Sequence, residues 1–559
     1  MALKSIISIL FFILGSSISC FAEVYIPPIG IPAPPFGINE IAPTQPNSWP
    51  AIAANGYYYI DNTAPNATDT SNTYGYPNKP RISIPKTLAA GAYVEIHGGP
   101  YTGSQHIFLV SGTAEAPVWI RGSDQANKPI IRLETYINGS YAIIENLHFD
   151  TQRKTLSTRN RGTASAHNIC IRQCEFSGSR TSDGNTAVIA VSGIAGDPSS
   201  DIVIYNNTIH DFGDSSPSSI ENDYHGILPG QYSLRTWVLE NHVYNNGGDS
   251  IQVGQVGFAT DQRPKFVYIG KNVFHGDREN AIDIKAAQDV IVSENTCYDY
   301  EATSSSSGEV IVLHEDLLDN VWIINNTVHS GRYGIITTGS TNGYFIGNII
   351  YNIHHDPAKT DWSPTSSYGA GAAIHFRGAS NGGAINNTIY DYDTGIQITG
   401  GNSYLMHNNI LSYRAEAEAY DINFLNSSMV TATEFDYSLF NPVINNTRIN
   451  RGGTVVDLPT MKANYGAFLN CLEGDPLFVN SVTKDFRLRE ISPAINSGVA
   501  SSVYATFLSR YGINIEKDIT EYIRPSDGSW DIGAHEFSNT PPIGETSGKL
   551  INVKPTTQK

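Results

Sequence analysis

The chain has 559 residues, of which 16% are charged, and a formal net charge of −18. Its 50 glycines and 31 tyrosines, set against only 4 methionines, are typical of a loop-rich β protein and exclude a helical bundle. The negative charge disfavours nucleic acid as a partner, because its long-range field repels polyanions. To bind an acidic glycan, the chain would need a concentrated positive patch, a bound divalent cation, or both.

The N-terminal segment has the features of an export signal. Lys4 provides a positive charge, an apolar run extends from Ile6 to Leu14, and a small residue ends a plausible cleavage site. We therefore predict a signal peptide over residues 1–22 and a secreted or periplasmic protein. Anchoring through an acylated Cys20 is the less favoured alternative, because Ser17 stands where a larger aliphatic residue usually precedes such a cysteine. The apolar run is too short to cross a bilayer, and no other segment is predicted to span one.

The rest of the chain divides into three predicted segments. Residues 23–55 are rich in Pro, Ile and Ala and cannot form a regular helix, so they are predicted to be an extended arm lying along the body. Residues 56–537 form the folded region, and the polar residues 538–559 are predicted to be a flexible tail. The cysteines that remain after cleavage are spread thinly, which favours buried free thiols over disulfides. They are Cys170, Cys174, Cys297 and Cys471.

A short phrase recurs through the middle of the chain: one or two asparagines, then Thr, Val or Ile, then usually an aromatic residue or His. Its copies are Asn206-Asn207-Thr208-Ile209-His210, Lys271-Asn272-Val273-Phe274-His275, Glu294-Asn295-Thr296-Cys297-Tyr298, Asn325-Asn326-Thr327-Val328-His329, Asn386-Asn387-Thr388-Ile389-Tyr390 and His407-Asn408-Asn409-Ile410-Leu411. They are spaced by about 22 to 39 residues, the range of stacked structural repeats. An asparagine tolerates left-handed backbone geometry and can hydrogen-bond the same amide one rung away. The phrase therefore predicts a solenoid held by an asparagine ladder.

A second phrase recurs in the same region, with a small residue followed by aliphatic residues two apart. Its copies are Gly226-Ile227-Leu228-Pro229, Ser250-Ile251-Gln252-Val253, Ala281-Ile282-Asp283-Ile284, Gly334-Ile335-Ile336-Thr337, Ala373-Ile374-His375-Phe376 and Gly395-Ile396-Gln397-Ile398. Each repeat thus carries two or three short strands separated by Gly, Asn or Asp. The chain is predicted to be all-β, a right-handed coil of parallel strands.

These repeats resemble the right-handed parallel β-helix superfamily that includes pectate lyases and related polysaccharide lyases. The C-terminal region resembles the closing segment of secreted bacterial β-helix proteins, in Gly474-Asp475-Pro476-Leu477-Phe478-Val479, Ser492-Pro493-Ala494-Ile495-Asn496-Ser497-Gly498 and Trp530-Asp531-Ile532-Gly533-Ala534-His535-Glu536-Phe537. The resemblance implies a right-handed β-helix solenoid and an extended polysaccharide as partner. The superfamily hosts lyases, hydrolases, epimerases and binding proteins, so the activity has to come from the site.

Alignment of the inward aliphatic residues places the outward side chains in columns, about 4.8 Å apart from rung to rung. The rung Glu309–His314 can be registered in two ways. Placing Ile311 and Leu313 inward avoids exposing Leu313 and puts His314 beside Lys285. The predicted columns are Gly254, Lys285, His314, Thr338, Arg377 and Thr399 in one, and Gln252, Asp283, Ile336, His375 and Gln397 in the next.

The chemistry of a polysaccharide lyase suits this stripe. Such enzymes need a base for the proton α to a uronate carboxylate and a positive group or metal that neutralises the carboxylate. Lys or His serves as base, and Lys285 fits that role. Lys285 and Arg377 are three rungs, or about 14 Å, apart, so they are expected to address neighbouring sugar units. The predicted catalytic set is Lys285, His314, Arg377 and His375, with Gln252, Tyr232, Tyr333 and Gln397 as substrate contacts.

Acidic residues just upstream predict a cation site. Asp249, Asp283 and Glu279 lie on adjacent rungs, beside His225, and can offer the oxygen ligands that Ca²⁺ prefers. A Ca²⁺ ion there would also relieve the pKa-raising effect of Asp283 on Lys285. The motifs of calcium-dependent pectate lyases, Asp-Asp-Gly-Trp-Asp and Arg-x-Pro-x-x-Arg, do not occur in the chain.

We therefore expect a secreted, monomeric protein that binds an extended, acidic polysaccharide and cleaves it by β-elimination. The principal alternative is a non-catalytic extracellular or matrix protein whose solenoid is a glycan-binding platform. Two further alternatives have the same fold: a glycoside hydrolase with Asp249 and Asp283 as a carboxylate pair, and a uronan epimerase that would use the same stripe as the lyase.

Overall fold

The computed structural model describes residues 25–538 except 47–48, 50–55, 71, 152–154, 160–164, 180–185, 220–222, 315–316, 356–370, 379, 443 and 445. The predicted signal peptide with Cys20, part of the predicted arm and all but the first residue of the predicted tail lie outside the described residues. Within the described part, no helix is long and apolar enough to cross a membrane.

The protein is a right-handed parallel β-helix, as the repeats predicted. Three parallel sheets, named A, B and C here, run along the coil, and each rung adds one strand to each sheet. The first rungs are built from Tyr57–Asp61, Thr87–Ala89, Tyr93–His97, Tyr101–Ser111, Val118–Gly122 and Ile130–Glu145, and the two longest of these strands run through more than one sheet.

Sheet A carries the second repeated phrase. Its strands are Leu156–Ser157, Thr186–Val191, Tyr224–Pro229, Ile251–Val253, Ile282–Ile284, Glu309–Leu313, Tyr333–Thr337, Ala372–Phe376, Thr394–Ile398, Ile422–Phe424 and Ile449–Arg451. Sheet B follows, with Ala166–Arg172, Ser199–Tyr205, Ser233–Leu239, Lys265–Gly270, Ala287–Ser293, Leu318–Ile324, Ser340–Ile346, Ser380–Ile385, Asn402–His407 and Thr433–Asp436.

Sheet C starts with the residues that follow each ladder position. Its strands are His148–Asp150, Glu175–Ser177, Thr208–His210, His242–Tyr244, Val273–His275, Thr296–Tyr300, Thr327–Gly331, Ile349–Ile353, Thr388–Tyr392, Ile410–Arg414, Leu439–Asn441 and Leu472–Glu473. The remaining elements lie near the C-terminus. They are Thr454–Val456, the antiparallel pair Phe478–Asn480 and Asp485–Leu488, and the helices Ser428–Thr431, Leu458–Tyr465 and Ser502–Tyr511.

The asparagine ladder lies inside the corner between sheets B and C. In each rung the asparagine carboxamide donates to the Oδ1 of the next ladder asparagine, over distances of 2.8 to 3.0 Å. The ladder runs through Asn207, Asn241, Asn272, Asn295, Asn326, Asn348, Asn387 and Asn409. The left-handed residue is the one before it, such as Asn325 or Glu294. The recurring phrase did not include Asn241, which is followed by His242 in place of Thr, Val or Ile, or Asn348.

The outer face of sheet B is covered by other parts of the chain. Ile29, Ile31 and Phe36 of the Pro-rich arm are buried there against Trp237 and its neighbours. Arg172 anchors the arm, with Nη1 donating to the Gly37 carbonyl at 2.6 Å and Nη2 to the Glu40 carbonyl at 2.9 Å. The helix Ser502–Tyr511 packs on the same face through an edge contact between Phe507 and Trp322. Sheet B is therefore not available as a long open ligand surface.

The cysteines of the described region are buried free thiols, as expected. Burial raises the pKa of Cys170, Cys174, Cys297 and Cys471. They act as small apolar side chains, and burial keeps them out of thiolate chemistry.

The ladder predicts a large effect of one central carboxamide. Asn295 donates to Asn326 Oδ1 and to the Ile269 carbonyl, both at 2.9 Å, and accepts from the carboxamide of Asn272 at 2.8 Å. Asn295→Ala leaves these buried groups without partners, so we expect a loss of about 2–4 kcal/mol of stability. Denaturation should show a clearly lower midpoint, while the exposed Asn402→Ala serves as matched control. Equal midpoints for the two variants would contradict a stabilising ladder.

Candidate functional site

The candidate site lies on the outer face of sheet A, across four neighbouring rungs. Gln252 is paired in register with Asp283, and Asp283 with Val312. The Lys285 N–H donates to the Val253 carbonyl at 2.9 Å, and the His314 N–H donates to the Ile284 carbonyl at 2.8 Å. Lys285 and His314 therefore stand in one column on adjacent rungs, as the sequence predicted.

The register choice for the rung Glu309–His314 is confirmed. Ile311 and Leu313 are fully buried in the core, and His314 is exposed. Arg377 also falls in the predicted column, three rungs beyond Lys285, since its N–H bonds to the Thr337 carbonyl and that of Thr338 bonds to the Leu313 carbonyl.

A buried cluster of carboxylates adjoins Lys285. Ligand atoms of His225, Asp249 and Glu279 all lie within 4.8 Å of one another. Asp283 makes an ion pair with Lys285 instead, with Oδ2 3.2 Å from Nζ. The sequence grouped Asp249, Glu279 and Asp283, and the structure brings the first two together with His225.

The imidazole of His225 packs against Asp249, with its Nδ1 3.1 Å from Asp249 Oδ2. Its Nδ1 lies 3.0 Å from the backbone N–H of Asp249, which donates to it. A neutral imidazole that accepts at Nδ1 carries its proton on Nε2. Burial lowers the pKa of His225 and keeps the ring neutral. With Nδ1 occupied, the atoms left to ligate a cation in this cluster are carboxylate oxygens.

The pKa values of the cluster shift together. Burial and the neighbouring Asp283 raise the pKa of Asp249 well above its ordinary value, and burial raises the pKa of Asp283 although Lys285 opposes it. Burial and Asp249 raise the pKa of Glu279 to about 8. Burial alone would lower the pKa of Lys285, but Asp283 and Asp249 outweigh it and the pKa ends above its usual value. Lys285 is therefore a cation at neutral pH.

Two carboxylate oxygens of the cluster receive no hydrogen bond. They are Oδ2 of Asp249, which faces the hydrogen-bond-accepting Nδ1 of His225 at 3.1 Å, and Oδ1 of Asp283, both buried. Leaving a charged oxygen buried without a donor or a cation is costly. A divalent cation with oxygen preference, such as Ca²⁺, fits the donor type of Asp249, Asp283 and Glu279.

Asp277 belongs to the scaffold. Its carboxylate faces into the coil, where it accepts from Ser250 and from the Asn246 carboxamide at 2.8 Å, and Tyr300 lies beside it. Burial raises the pKa of Asp277 to about 7. This group extends the hydrogen-bonded interior of the rungs and does not reach the outer face.

The distal members of the stripe are more enclosed than the sequence suggested. His375 is 1% exposed, its Nε2 is 2.9 Å from Thr399 Oγ1, and its ring stacks 6.0 Å from that of Tyr333. Burial, helped by Arg377, lowers the pKa of His375 to about 3. Tyr333 and Gln397 are 4% and 1% exposed. In this structure these side chains pack the face, and substrate contact at Tyr333 and Gln397 stays a prediction.

The other two predicted contacts have different surroundings. Gln252 is buried in the Asp283 column and donates to the Gly254 carbonyl at 3.0 Å. Tyr232 is half-buried in the turn that precedes Ser233–Leu239, with its N–H bonded to the Gln262 carbonyl, and lies outside the two columns. The sequence did not lead us to assign a role to His225. Its position in the same column as Asp249 was the feature from which its place in the cluster could have been predicted.

No protein-family model matches the chain, and no curated protein matches it in sequence. Among solved structures, the chain is similar to the A-module of the Azotobacter vinelandii mannuronan C-5 epimerase AlgE4, with 14% identity and a TM-score of 0.39 over 65% of this chain and 85% of that one. The chain is also similar to an alginate lyase from Paenibacillus sp. str. FPU-7, with 16% identity and a TM-score of 0.34 over 52% of this chain and 90% of that one. A third similar structure is a PL6 alginate lyase in complex with a trisaccharide, with 11% identity and a TM-score of 0.42 over 66% of this chain and 84% of that one. At these values the chemistry has to be argued from the side chains of this chain.

A second ionisable cluster lies at the corner between sheets C and A. Nδ1 of His354 is 2.9 Å from Asp393 and its Nε2 is 3.3 Å from Asp391, while His355 Nδ1 is 2.6 Å from Asp393. Burial lowers the pKa of His354, but the bonds to Asp391 and Asp393 outweigh it and raise the pKa to about 9.

This cluster predicts a pH dependence of stability. Because the folded pKa of His354 is about 9 and its ordinary value is 6.5, its contribution is complete below pH 6.5 and is lost as the pH rises through 9. The melting temperature of His354→Gln should fall below that of the unmodified protein at about pH 6, and the gap should close at about pH 10. A gap that is constant between these pH values would contradict the charged pair.

Proposed function

We propose that this protein is an extracellular polysaccharide lyase that cleaves a uronate-containing glycan by β-elimination on the outer face of sheet A. The observation that carries the proposal is the ion pair of Lys285 with a buried carboxylate cluster that retains two oxygens without donors. In a purely structural ion-pair network the charged groups have partners within the protein, whereas a ligand site leaves some groups available to the ligand. The exposed His314 stands one rung away in the same column.

The geometry supports a division of roles that differs from the sequence expectation. Lys285 stays protonated because Asp283 is beside it, so it suits a cation that holds the uronate carboxylate. His314 is exposed, and it lies close enough to Asp283 to lower the pKa of that carboxyl. We assign to it the role of the base that removes the α proton. His225 offers a neutral Nε2–H beside the cluster for a substrate hydroxyl.

Bringing an anionic sugar to this cluster requires further positive charge. When they are ionised, the carboxylates of Asp249, Asp283 and Glu279 outnumber the positive charge of Lys285 and repel a uronate. We therefore include a divalent cation, with Ca²⁺ as the expected ion, held by the oxygens of these three residues. When bound, it would supply positive charge to the substrate carboxylate.

A second candidate is a retaining glycoside hydrolase acting through Asp249 and Glu279. One oxygen from each lies within 4.8 Å of the other, close to the carboxylate separation of about 5–5.5 Å that retaining enzymes use. The raised pKa of Glu279, about 8, keeps it protonated at neutral pH as a general acid must be. The products differ: a hydrolase creates reducing ends without a double bond.

The activity test uses the purified full-length protein and a panel of uronate-containing polymers. A lyase releases chain ends that carry a new C=C bond and absorb in the ultraviolet. His314→Ala should lower the rate by about 10²–10⁴-fold through loss of the base, and Lys285→Ala by about 10²–10³-fold through loss of the charge. The matched control is Lys265→Ala on sheet B.

Each other outcome assigns the protein to another class. Reducing ends without ultraviolet absorption would favour the hydrolase, and altered uronate stereochemistry without cleavage would favour an epimerase. Binding without any chemical change across the panel would favour a glycan-binding platform. Undiminished cleavage in both Lys285→Ala and His314→Ala would remove this stripe from the catalytic machinery.

The cation proposal is tested by stability as well as by activity. A ligand that binds only the folded state stabilises it by about 2.7 kcal/mol at a hundred times its Kd, so added Ca²⁺ should raise the melting temperature. Glu279→Gln and Asp249→Asn should abolish this rise, and the exposed Asp261→Asn should retain it. A rise that survives in Glu279→Gln would place the ion elsewhere.

A further inference from the structure

The outer face of sheet C carries a continuous stack of aromatic rings. His210, Tyr244, His275, Tyr298, His329 and Tyr351 follow one another from rung to rung, with centroids 4.5 to 5.2 Å apart and planes within 13° of parallel. Because each ring covers the faces of its neighbours, only the ring edges meet solvent. The stack therefore presents edge atoms, and the nitrogens of the histidines are the metal-binding atoms among them.

One further histidine points at this stack. His242 is exposed on the rung before His275 and is offset from it by two positions, since Tyr244 is the residue directly paired with His275. The Nε2 atoms of His242 and His275 are 2.9 Å apart, with their rings inclined by 38°. Two imidazole nitrogens thus lie within 2.9 Å of each other on the outer face of sheet C.

We infer that His242 and His275 form a two-histidine chelate for a divalent transition metal such as Zn²⁺, Cu²⁺ or Ni²⁺. Imidazole nitrogen binds these ions at about 2.0–2.1 Å. Two such ligands are therefore about 2.9 Å apart at the right angle of a square-planar site and about 3.3 Å apart at the angle of a tetrahedral site. The observed separation of 2.9 Å fits the first of these spacings without rearrangement of the backbone.

The rings are oriented before any metal arrives. His275 is held between Tyr244, at 5.2 Å and 0°, and Tyr298, at 4.7 Å and 11°. His242 rests on the ring of Tyr244 at 4.6 Å. Fixing the ligands in the free protein removes much of the entropy cost of binding. The net charge of −18 also attracts cations.

The proton balance is simple. In the free protein one Nε2 donates its hydrogen to the other. For a metal to bind both nitrogens, the donating ring takes the tautomer with its proton on Nδ1, so each imidazole stays neutral and no net proton is released. The metal would link two rungs of sheet C.

The test is a Zn²⁺ titration of the full-length protein against a competing fluorescent indicator. His242→Ala should weaken the binding by about 10²-fold or more, since a chelate loses its second contact. His275→Phe should do the same while keeping a ring in the stack, which separates metal binding from folding. His167→Ala, on sheet B, is the matched control and should bind as the unmodified protein does.

A spectroscopic readout makes the result independent of other zinc sites. Cu²⁺ bound to the unmodified protein should show hyperfine coupling to two imidazole nitrogens, and the His242→Ala protein should not. Equal Zn²⁺ affinity in the unmodified, His242→Ala and His275→Phe proteins would overturn the inference. So would a Cu²⁺ spectrum without nitrogen coupling.

Discussion

The hydrogen bond from each ladder asparagine to the next is the contact on which the rest of the molecule depends. Parallel backbone pairing alone would tolerate a slip of one residue, and that slip would turn every outward side chain inward. The ladder prevents it, because the backbone N–H and the carboxamide of Asn295 both bond to Asn326 Oδ1. The outward columns of sheet A are therefore in a fixed register, and Lys285 and His314 are neighbours for that reason.

The candidate site differs in kind from the other buried ion pairs of the protein. Arg414 and Asp421 are both buried, and the Asp421 carboxylate also accepts from Tyr392 and from the N–H of Arg448. Near the C-terminus, both carboxylate oxygens of Glu536 likewise receive hydrogen bonds, from Arg524, Ser526 and Asp531. The carboxylates of these two pairs are satisfied within the protein. At Asp249 and Asp283 the carboxylate oxygens keep unused acceptor capacity, which is costly for a scaffold and useful for a ligand site.

The three sheets have separate tasks. Sheet B is covered by the arm and by the helix Ser502–Tyr511, and sheet C carries the stack of rings, whose far end contacts Phe486. Sheet A keeps an ionisable outer face over the rungs from Tyr224–Pro229 to Glu309–Leu313. Solenoids offer such faces because each rung contacts mainly its neighbours, so one face can change without disturbing the others.

The sequence alone determined the fold class and much of the register. The spacing of the asparagine phrase and of the inward aliphatics repeats with the rung, and a repeating core leaves its period in the sequence. It therefore placed Lys285, His314 and Arg377 in one column. The tertiary structure decided the enclosure of Tyr333, His375 and Gln397. It also decided the pairing of Asp283 with Lys285 and the hydrogen bond from the Asp249 N–H to His225. Those properties depend on which turns and neighbouring rungs cover a side chain, and turn conformation follows no period that a sequence could reveal.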